Sequence, residues 1–166
     1  MSKLYMGIDV GGKGFITTQK DGVFSHYSIA DNDYYQLSEI MAEIRSNNAE
    51  IVCVIEDVHA LHASSAKSTF QFGFCKGYLI GLLAANRIPY HLIPPKDWQK
   101  EIWTNADKEY KHTDGRKATD TKATSINACK RIFPFLDLRK NERCKNIDDN
   151  KVDSILMSEY ARRKNL

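Results

Sequence analysis

Four acidic side chains, drawn from three stretches of the chain, have the types and spacing to do chemistry. Asp9 lies in Met6-Gly-Ile-Asp-Val-Gly-Gly-Lys-Gly14 and Glu56 closes the apolar run Ile51-Val-Cys-Val-Ile-Glu56. Asp149 and Asp153 stand one helical turn apart near the C-terminus. Carboxylates gathered from distant positions repel one another, and divalent cations between them remove that cost. Mg²⁺ suits such a set: it prefers hard oxygen ligands, keeps several waters and is commonly held by carboxylates together with a substrate phosphate. Two ions about 4 Å apart activate a water and stabilise a leaving 3′-oxygen during in-line displacement. The expected chemistry is therefore metal-dependent phosphodiester hydrolysis with two Mg²⁺ ions per site, for which Mn²⁺ is expected to substitute. Taken singly, each acid has a plainer role. An Asp after a strand commonly serves a turn or a helix cap, and Asp149 could cap the last helix. Asp148 competes with Asp149 as a ligand, although five residues of separation from Asp153 turn it about 140° away around a helix.

The acids need a scaffold that brings strand ends beneath a helix. Leu4 to Asp9 is expected to be a short strand, and Gly11, Gly12 and Gly14 permit a tight turn into Phe15 to Gln19. Asp21-Gly22 is a hairpin signal that returns the chain as an edge strand, Val23 to Ser28. Tyr35, Leu37, Ile40, Met41 and Ile44 recur at helical spacing, which predicts an amphipathic helix over about 33–47. Ile51 to Ile55 fits a strand covered on both faces. A long helix is predicted over about 68–86, where Gly73, Gly77 and Gly81 recur every fourth residue. Helical glycine costs about 1 kcal/mol relative to alanine. The stripe therefore implies close approach of another backbone, either within the monomer or from a partner subunit. Phe70 and Phe74 share a face and are expected in the core or an interface, with Phe72 packing elsewhere. Ile88 to Ile93 is a further strand, followed by a short helical turn through Trp98. Residues 104–120 are polar and aperiodic and predict a mobile loop. Helices over 121–133 and about 147–163 complete the chain. The order βββαβαβαα predicts an α/β fold with one five-stranded mixed sheet and helices on both sides. Asp9 and Glu56 fall at C-terminal strand ends, where open α/β sheets bind ligands. Asp149 and Asp153 share one helix face.

With 166 residues, 42% of them hydrophobic and 27% charged, the chain is expected to form one globular domain. No apolar run reaches the roughly 18 residues of a membrane span, and no signal-peptide core opens the sequence, so cytoplasmic residence is expected. Cys53, Cys75, Cys129 and Cys144 lack metal-type spacing and are expected to be reduced thiols. The net charge of +3 is uneven: residues 1–107 sum to −3 and residues 108–166 to +6. A basic C-terminal third suits a polyanionic partner as well as a plain solvated surface.

The motifs together resemble RuvC-type Holliday junction resolvases, particularly the phage-borne members. Gly7-Ile-Asp-Val-Gly-Gly-Lys-Gly14 is similar to their Ile-Asp-x-Gly-x-x-Gly opening, Ile55-Glu56-Asp-Val-His-Ala60 to their second motif, and Ser68-Thr-Phe-Gln-Phe-Gly73 to the start of their long helix. Pro94-Pro-Lys-Asp-Trp98, Asp120-Thr-Lys122 and Asp148-Asp-Asn-Lys-Val-Asp-Ser-Ile-Leu156 also fit, in the right order along nearly the whole chain. The resemblance implies an RNase H-like fold, a homodimer, a four-way DNA junction as substrate and paired symmetric nicks. It implies Asp9, Glu56, Asp149 and Asp153 as metal ligands and Lys122 as a catalytic lysine beside the cleaved strand. His59 falls where relatives carry an aromatic that inserts at the junction centre. Lys100 is a basic candidate for DNA contact, and the lysines and arginines from Lys108 to Lys145, Lys117 among them, are expected to hold the junction arms. Val10 replaces a usual proline, and Asp148 replaces a histidine of the phage-like subgroup. The three-residue spacing of bacterial members would put the third ligand at Asn150, whereas the phage-like alignment puts it at Asp149.

Three other readings share some of these features. A related RNase H-like nuclease acting on RNA or other branched nucleic acid would use the same carboxylates. A non-catalytic junction-binding protein would keep them as structural groups. Sugar kinases and actin-like ATPases also open with Gly-Ile-Asp-x-Gly-Gly, but they need two such domains and a second phosphate loop. This chain is too short for that, so no nucleotide cofactor is expected.

Overall fold

Alternation of side chains along the strands decides which helices cover which side of the sheet. The computed structural model describes residues 3–58, 65–113 and 115–166. Five strands form one mixed sheet: β1 (Leu4–Ile8), β2 (Phe15–Lys20), β3 (Val23–Ser28), β4 (Ile51–Glu56) and β5 (Tyr90–Ile93). Their order is β3-β2-β1-β4-β5. The first three are antiparallel neighbours, while β4 runs parallel to β1 and β5 parallel to β4. The helices are α1 (Tyr34–Asn47), α2 (Ala66–Ala85), α3 (Pro95–Ile102), α4 (Thr121–Ile132) and α5 (Asp149–Lys164). Leu4, Met6 and Ile8 of β1 join Cys53 and Ile55 of β4 in a core with α1 and α2. The alternate residues Val52 and Val54 pack with Trp98 of α3, Ala128 of α4 and Val152 of α5. The α/β architecture is thus the expected mixed sheet of five strands with helices on both sides. Among the described residues no helix is long and apolar enough to cross a membrane.

Close contact between α5 and β1 depends on Gly7. A Cβ at Gly7 would lie 2.2 Å from the Ser154 carbonyl oxygen and 2.4 Å from the Ser158 amide nitrogen. With hydrogen there instead, the backbone of α5 rests on the strand. A polar stitch beside it fixes the helix further. Thr17 Oγ1 lies 2.7 Å from Ser154 Oγ and 3.0 Å from His26 Nδ1. Burial brings the His26 pKa down to about 4, with Lys151 acting in the same direction, so this imidazole is neutral in the stitch near pH 7.

Several sequence expectations need correction. Residues 104–120 are not a featureless loop: β6 (Tyr110–Thr113) and β7 (Arg116–Thr119) pair as a separate two-stranded ribbon. Its charged side chains give no hydrophobic period to detect, and Gly115 at φ +74° supplies a turn conformation that L residues avoid. The helix after Pro94 runs on to Ile102, because Trp98 and Ile102 are both buried one turn apart. Gly73, Gly77 and Gly81 are exposed, and a Cβ on any of them would meet nothing within 4 Å. Packing within the monomer therefore does not account for the stripe. Phe70 and Phe74 are 70% and 48% exposed, so they do not belong to the core, whereas Phe72 packs against it. The fifth strand begins at Tyr90, with Ile88 buried just ahead of it.

Candidate active site

Strand parity puts two of the four acids on the α5 side of the sheet. Asp9 follows β1 in phase with Tyr5 and Gly7, and Glu56 ends β4 in phase with Val52 and Val54. The parallel register runs from Leu4↔Ile51 to Ile8↔Ile55. One further step sets Asp9 beside Glu56 on strands about 4.8 Å apart. The glycine-rich turn holds the Asp9 backbone in place. Gly14 N–H donates to the Gly11 carbonyl, and Asp9 N–H to the Phe15 carbonyl, each at 3.0 Å. A Cβ on Gly14 would lie 2.1 Å from the Asp9 carbonyl oxygen, so only glycine permits this turn.

The other two acids come from the start of α5. Asp148 is its N-cap: its Oδ1 accepts from Asn150 N–H at 3.0 Å and Lys151 N–H at 3.1 Å. Capping occupies Asp148 and leaves Asp149, the first helical residue, and Asp153 one turn on. Lys122, in the first turn of α4, sets its Nζ 2.5 Å from Asp149 Oδ2. That hydrogen bond raises the lysine's pKa above its ordinary value.

These groups share one electrostatic field. Asp9 is only 8% exposed. Burial raises its pKa well above the usual carboxylate range, and the charges of Asp153, Glu56, Asp149 and Asp148 raise it further. Asp153 is pushed up to about 7, again chiefly by burial, with Glu56 and Asp149 adding to the effect and a hydrogen bond from Ser125 opposing it. Glu56 is raised by burial and drawn back by Trp98 and Lys76. Asp153 Oδ1 is buried without a hydrogen-bond partner.

Among the described residues, no three His, Cys, Asp or Glu side chains are arranged to hold a metal ion as they lie. The carboxylates are neighbours in one field, and the Lys122 ammonium is the cation now paired with Asp149. The donor set nevertheless fits a divalent ion. It is made of hard oxygens, two acids are held toward protonation by burial and by the charges of their neighbours, and one oxygen is sealed from solvent with nothing to bond.

Two supporting contacts were not foreseen from sequence. Trp98, fully buried, donates its Nε1–H to Glu56 Oε1 at 3.2 Å. Lys76 on α2 pairs with Asp57, the residue after Glu56, at 2.5 Å. A buried tryptophan needs a partner for its N–H, so Trp98 carried a signal that some acceptor lies beside α3. Lys76 carried none. Of the remaining predicted residues, Lys100 lies on the exposed side of α3, away from Trp98, and Lys117 lies on β7. Neither joins the acids. His59 lies outside the described residues.

The fold has solved counterparts. Thermus thermophilus RuvC in complex with a Holliday junction substrate superposes with a TM-score of 0.58 over 97% of this chain and 96% of that one, at 7% sequence identity. A second Thermus thermophilus RuvC structure gives a TM-score of 0.51 over 99% of this chain and 97% of that one, at 10% identity. The chain has the RuvC fold. No protein-family model matches it, and no curated protein matches it in sequence. What it shares with RuvC is the path of the backbone, kept with few identical side chains.

Proposed function

We propose that this chain is a Mg²⁺-dependent, structure-selective DNA endonuclease that resolves four-way junctions as a homodimer, making paired symmetric nicks. The observation that carries the proposal is the meeting of Asp9, Glu56, Asp149 and Asp153 in one poorly neutralised field at the C-terminal edge of β1 and β4. Similarity of fold to a RuvC protein solved with a Holliday junction substrate supports the choice of DNA substrate. The four acids are the ligands of two divalent ions. When bound, the ions supply water activation and stabilisation of the leaving 3′-oxygen.

The chain's own residues do the rest. Asp9 and Glu56 are fixed by strand ends and by the Gly14 turn, so their carboxylates cost little to position. Trp98 holds one Glu56 oxygen through a neutral donor, leaving the other oxygen available. Lys122 is exposed on one side of Asp149. Turned from Asp149 toward a phosphate, its ammonium neutralises charge gathering on the non-bridging oxygens. A two-fold dimer presents one such site to each of the two equivalent strands of a junction. The open Gly73/Gly77/Gly81 stripe of α2, flanked by exposed Phe70 and Phe74, is its contact face. Four unpaired cysteines suit a reducing compartment such as the cytoplasm.

The test is a substrate panel of four-way junction, flap, linear duplex and RNA–DNA hybrid, with and without Mg²⁺. Wild-type protein is expected to nick the junction only with the metal. Asp9→Asn is expected to bind the junction and leave it intact. Unchanged nicking by Asp9→Asn removes the acids from the reaction, and preferential cleavage of the hybrid moves the substrate to RNA.

A further inference from the structure

The β6–β7 ribbon stands apart from both cores. It belongs to neither hydrophobic cluster, and its described side chains are exposed from Tyr110 to His112 and from Arg116 to Ala118. A two-stranded hairpin without an apolar face has little to hold it together in water. This one is fixed at its root. Asp107, 3% exposed, accepts from Arg131 Nε and Nη2 at 2.8 Å and from Thr104 N–H at 2.7 Å. The Arg131 guanidinium holds the Asp107 pKa down to about 2. Glu109 N–H donates to Thr124 Oγ1, and Asp120 N–H to the Glu109 carbonyl. The root is thereby tied to α4. β7 runs through the α4 N-cap Asp120 directly into Lys122, the lysine paired with Asp149.

Above that root the ribbon is cationic on both faces. The register Tyr110↔Thr119 and His112↔Lys117 puts Tyr110 and Lys117 on one face, where the Lys117 ammonium lies 4.1 Å from the tyrosine ring centroid. Lys111 and Arg116 take the other face. The cations nearest the ribbon's root are paired with acids, Arg131 with Asp107 and Lys122 with Asp149. Among the described residues, no ion pair involves Lys111, Arg116 or Lys117.

We infer that the ribbon is an arm that grips the phosphate backbone of duplex DNA beside the strand to be cut. This inference rests on the DNA-endonuclease proposal. A ribbon held at its root, with exposed cations on both faces, matches a polyanion whose charges flank a groove, and the major groove admits a two-stranded ribbon. Its rigid root sets the distance from gripped backbone to Lys122, so the arm fixes which phosphate arrives at the acids.

The test uses the full-length protein without Mg²⁺, so that no strand is cut. The affinity of wild type and of Lys111→Gln/Arg116→Gln/Lys117→Gln for a synthetic four-way junction is measured against salt concentration. Each lost phosphate contact flattens the slope of log K against log[salt] by about 0.9, or by up to about 2.7 for three. Between about 50 and about 200 mM salt, wild type is then expected to lose about 40-fold more affinity than the variant. Lys3→Gln/Lys20→Gln/Lys164→Gln, changed at the end of the sheet where β1 starts and β2 stops, away from the acids, is expected to keep the wild-type slope. A wild-type slope in the ribbon variant, or equal flattening in both variants, overturns the arm. Failure of wild type to bind the junction, or binding without salt dependence, overturns the endonuclease proposal itself. A second measurement needs no substitution: junction DNA is expected to protect Lys111 and Lys117 from an amine-acylating reagent while Lys3 and Lys20 keep reacting. Unprotected ribbon lysines on the bound protein contradict the arm.

Discussion

Replacing Asp153 by Asn should stabilise the metal-free protein, and increasingly so as pH rises. The Asp153 carboxyl sits at about 7 in the folded chain, against an ordinary 3.8, because burial and the Glu56 and Asp149 charges disfavour its ionised form. A folded-state value raised above the unfolded one favours folding fully at pH below the ordinary value. That contribution is lost as pH climbs through about 7. Integrated between pH of about 5 and about 8, the loss is on the order of 2–3 kcal/mol. Asn does not ionise, so the stability of Asp153→Asn relative to wild type should rise by about that amount over the interval. His26, held neutral, gives the opposite slope below its ordinary value, but both proteins share it and it cancels. For a chain of 166 residues, 1 kcal/mol moves Tm by about 3 °C, so the difference in Tm should grow by about 7 °C. The assay is thermal or chemical unfolding of both proteins across that range in chelator, repeated with Mg²⁺. Mg²⁺ at about 100 times its Kd adds about 2.7 kcal/mol to a protein that binds it. Wild type should gain this, and Asp153→Asn should gain less. A pH-independent difference between the two proteins, or equal stabilisation of both by Mg²⁺, refutes the reasoning.

Other outcomes follow from single contacts. Trp98→Phe keeps the ring in the core and removes the donor to Glu56, so nicking should fall about 10- to 100-fold with little change in junction affinity; single-turnover rates and binding gels separate the two. Gly7→Ala drives a Cβ into the α5 backbone and should cost at least about 3 kcal/mol in chemical unfolding, an effect far larger than helix or strand propensity predicts. Gly77→Glu has open space around it and should leave Tm within a few degrees of wild type while sedimentation equilibrium reports a shift from dimer to monomer. A dimer that persists in Gly77→Glu places the two-fold contact elsewhere.

Much of the frame was legible in the sequence because it rests on periodicity. The apolar runs ending at Asp9 and Glu56 marked the buried parallel pair, and the four-residue spacing of Asp149 and Asp153 kept both on one helix face. Strand parity even implied that Asp9 and Glu56 share a side, once the sheet order was known. Their register could not be read, because no local signal says that residue 8 pairs with residue 55. The ribbon was missed because a strand charged on both faces has no apolar alternation. Its pairing is main-chain, and its support comes from Asp107 and Arg131, 24 residues apart. The role of Gly7 was hidden for a related reason. An interior strand glycine signals close approach of something, but that the visitor is the α5 backbone, nearly 150 residues later, is a tertiary fact. The Trp98–Glu56 bond and the Lys76–Asp57 pair are likewise products of packing between distant segments.

The most direct measurement is anomalous scattering from crystals of this protein soaked in Mn²⁺. Two peaks in contact with Asp9, Glu56, Asp149 and Asp153, with Lys122 turned from Asp149, are the expected result. Density confined to other carboxylates, or none at all beside Asp9 at a concentration that supports nicking, contradicts the claim that these four acids exist to hold metal.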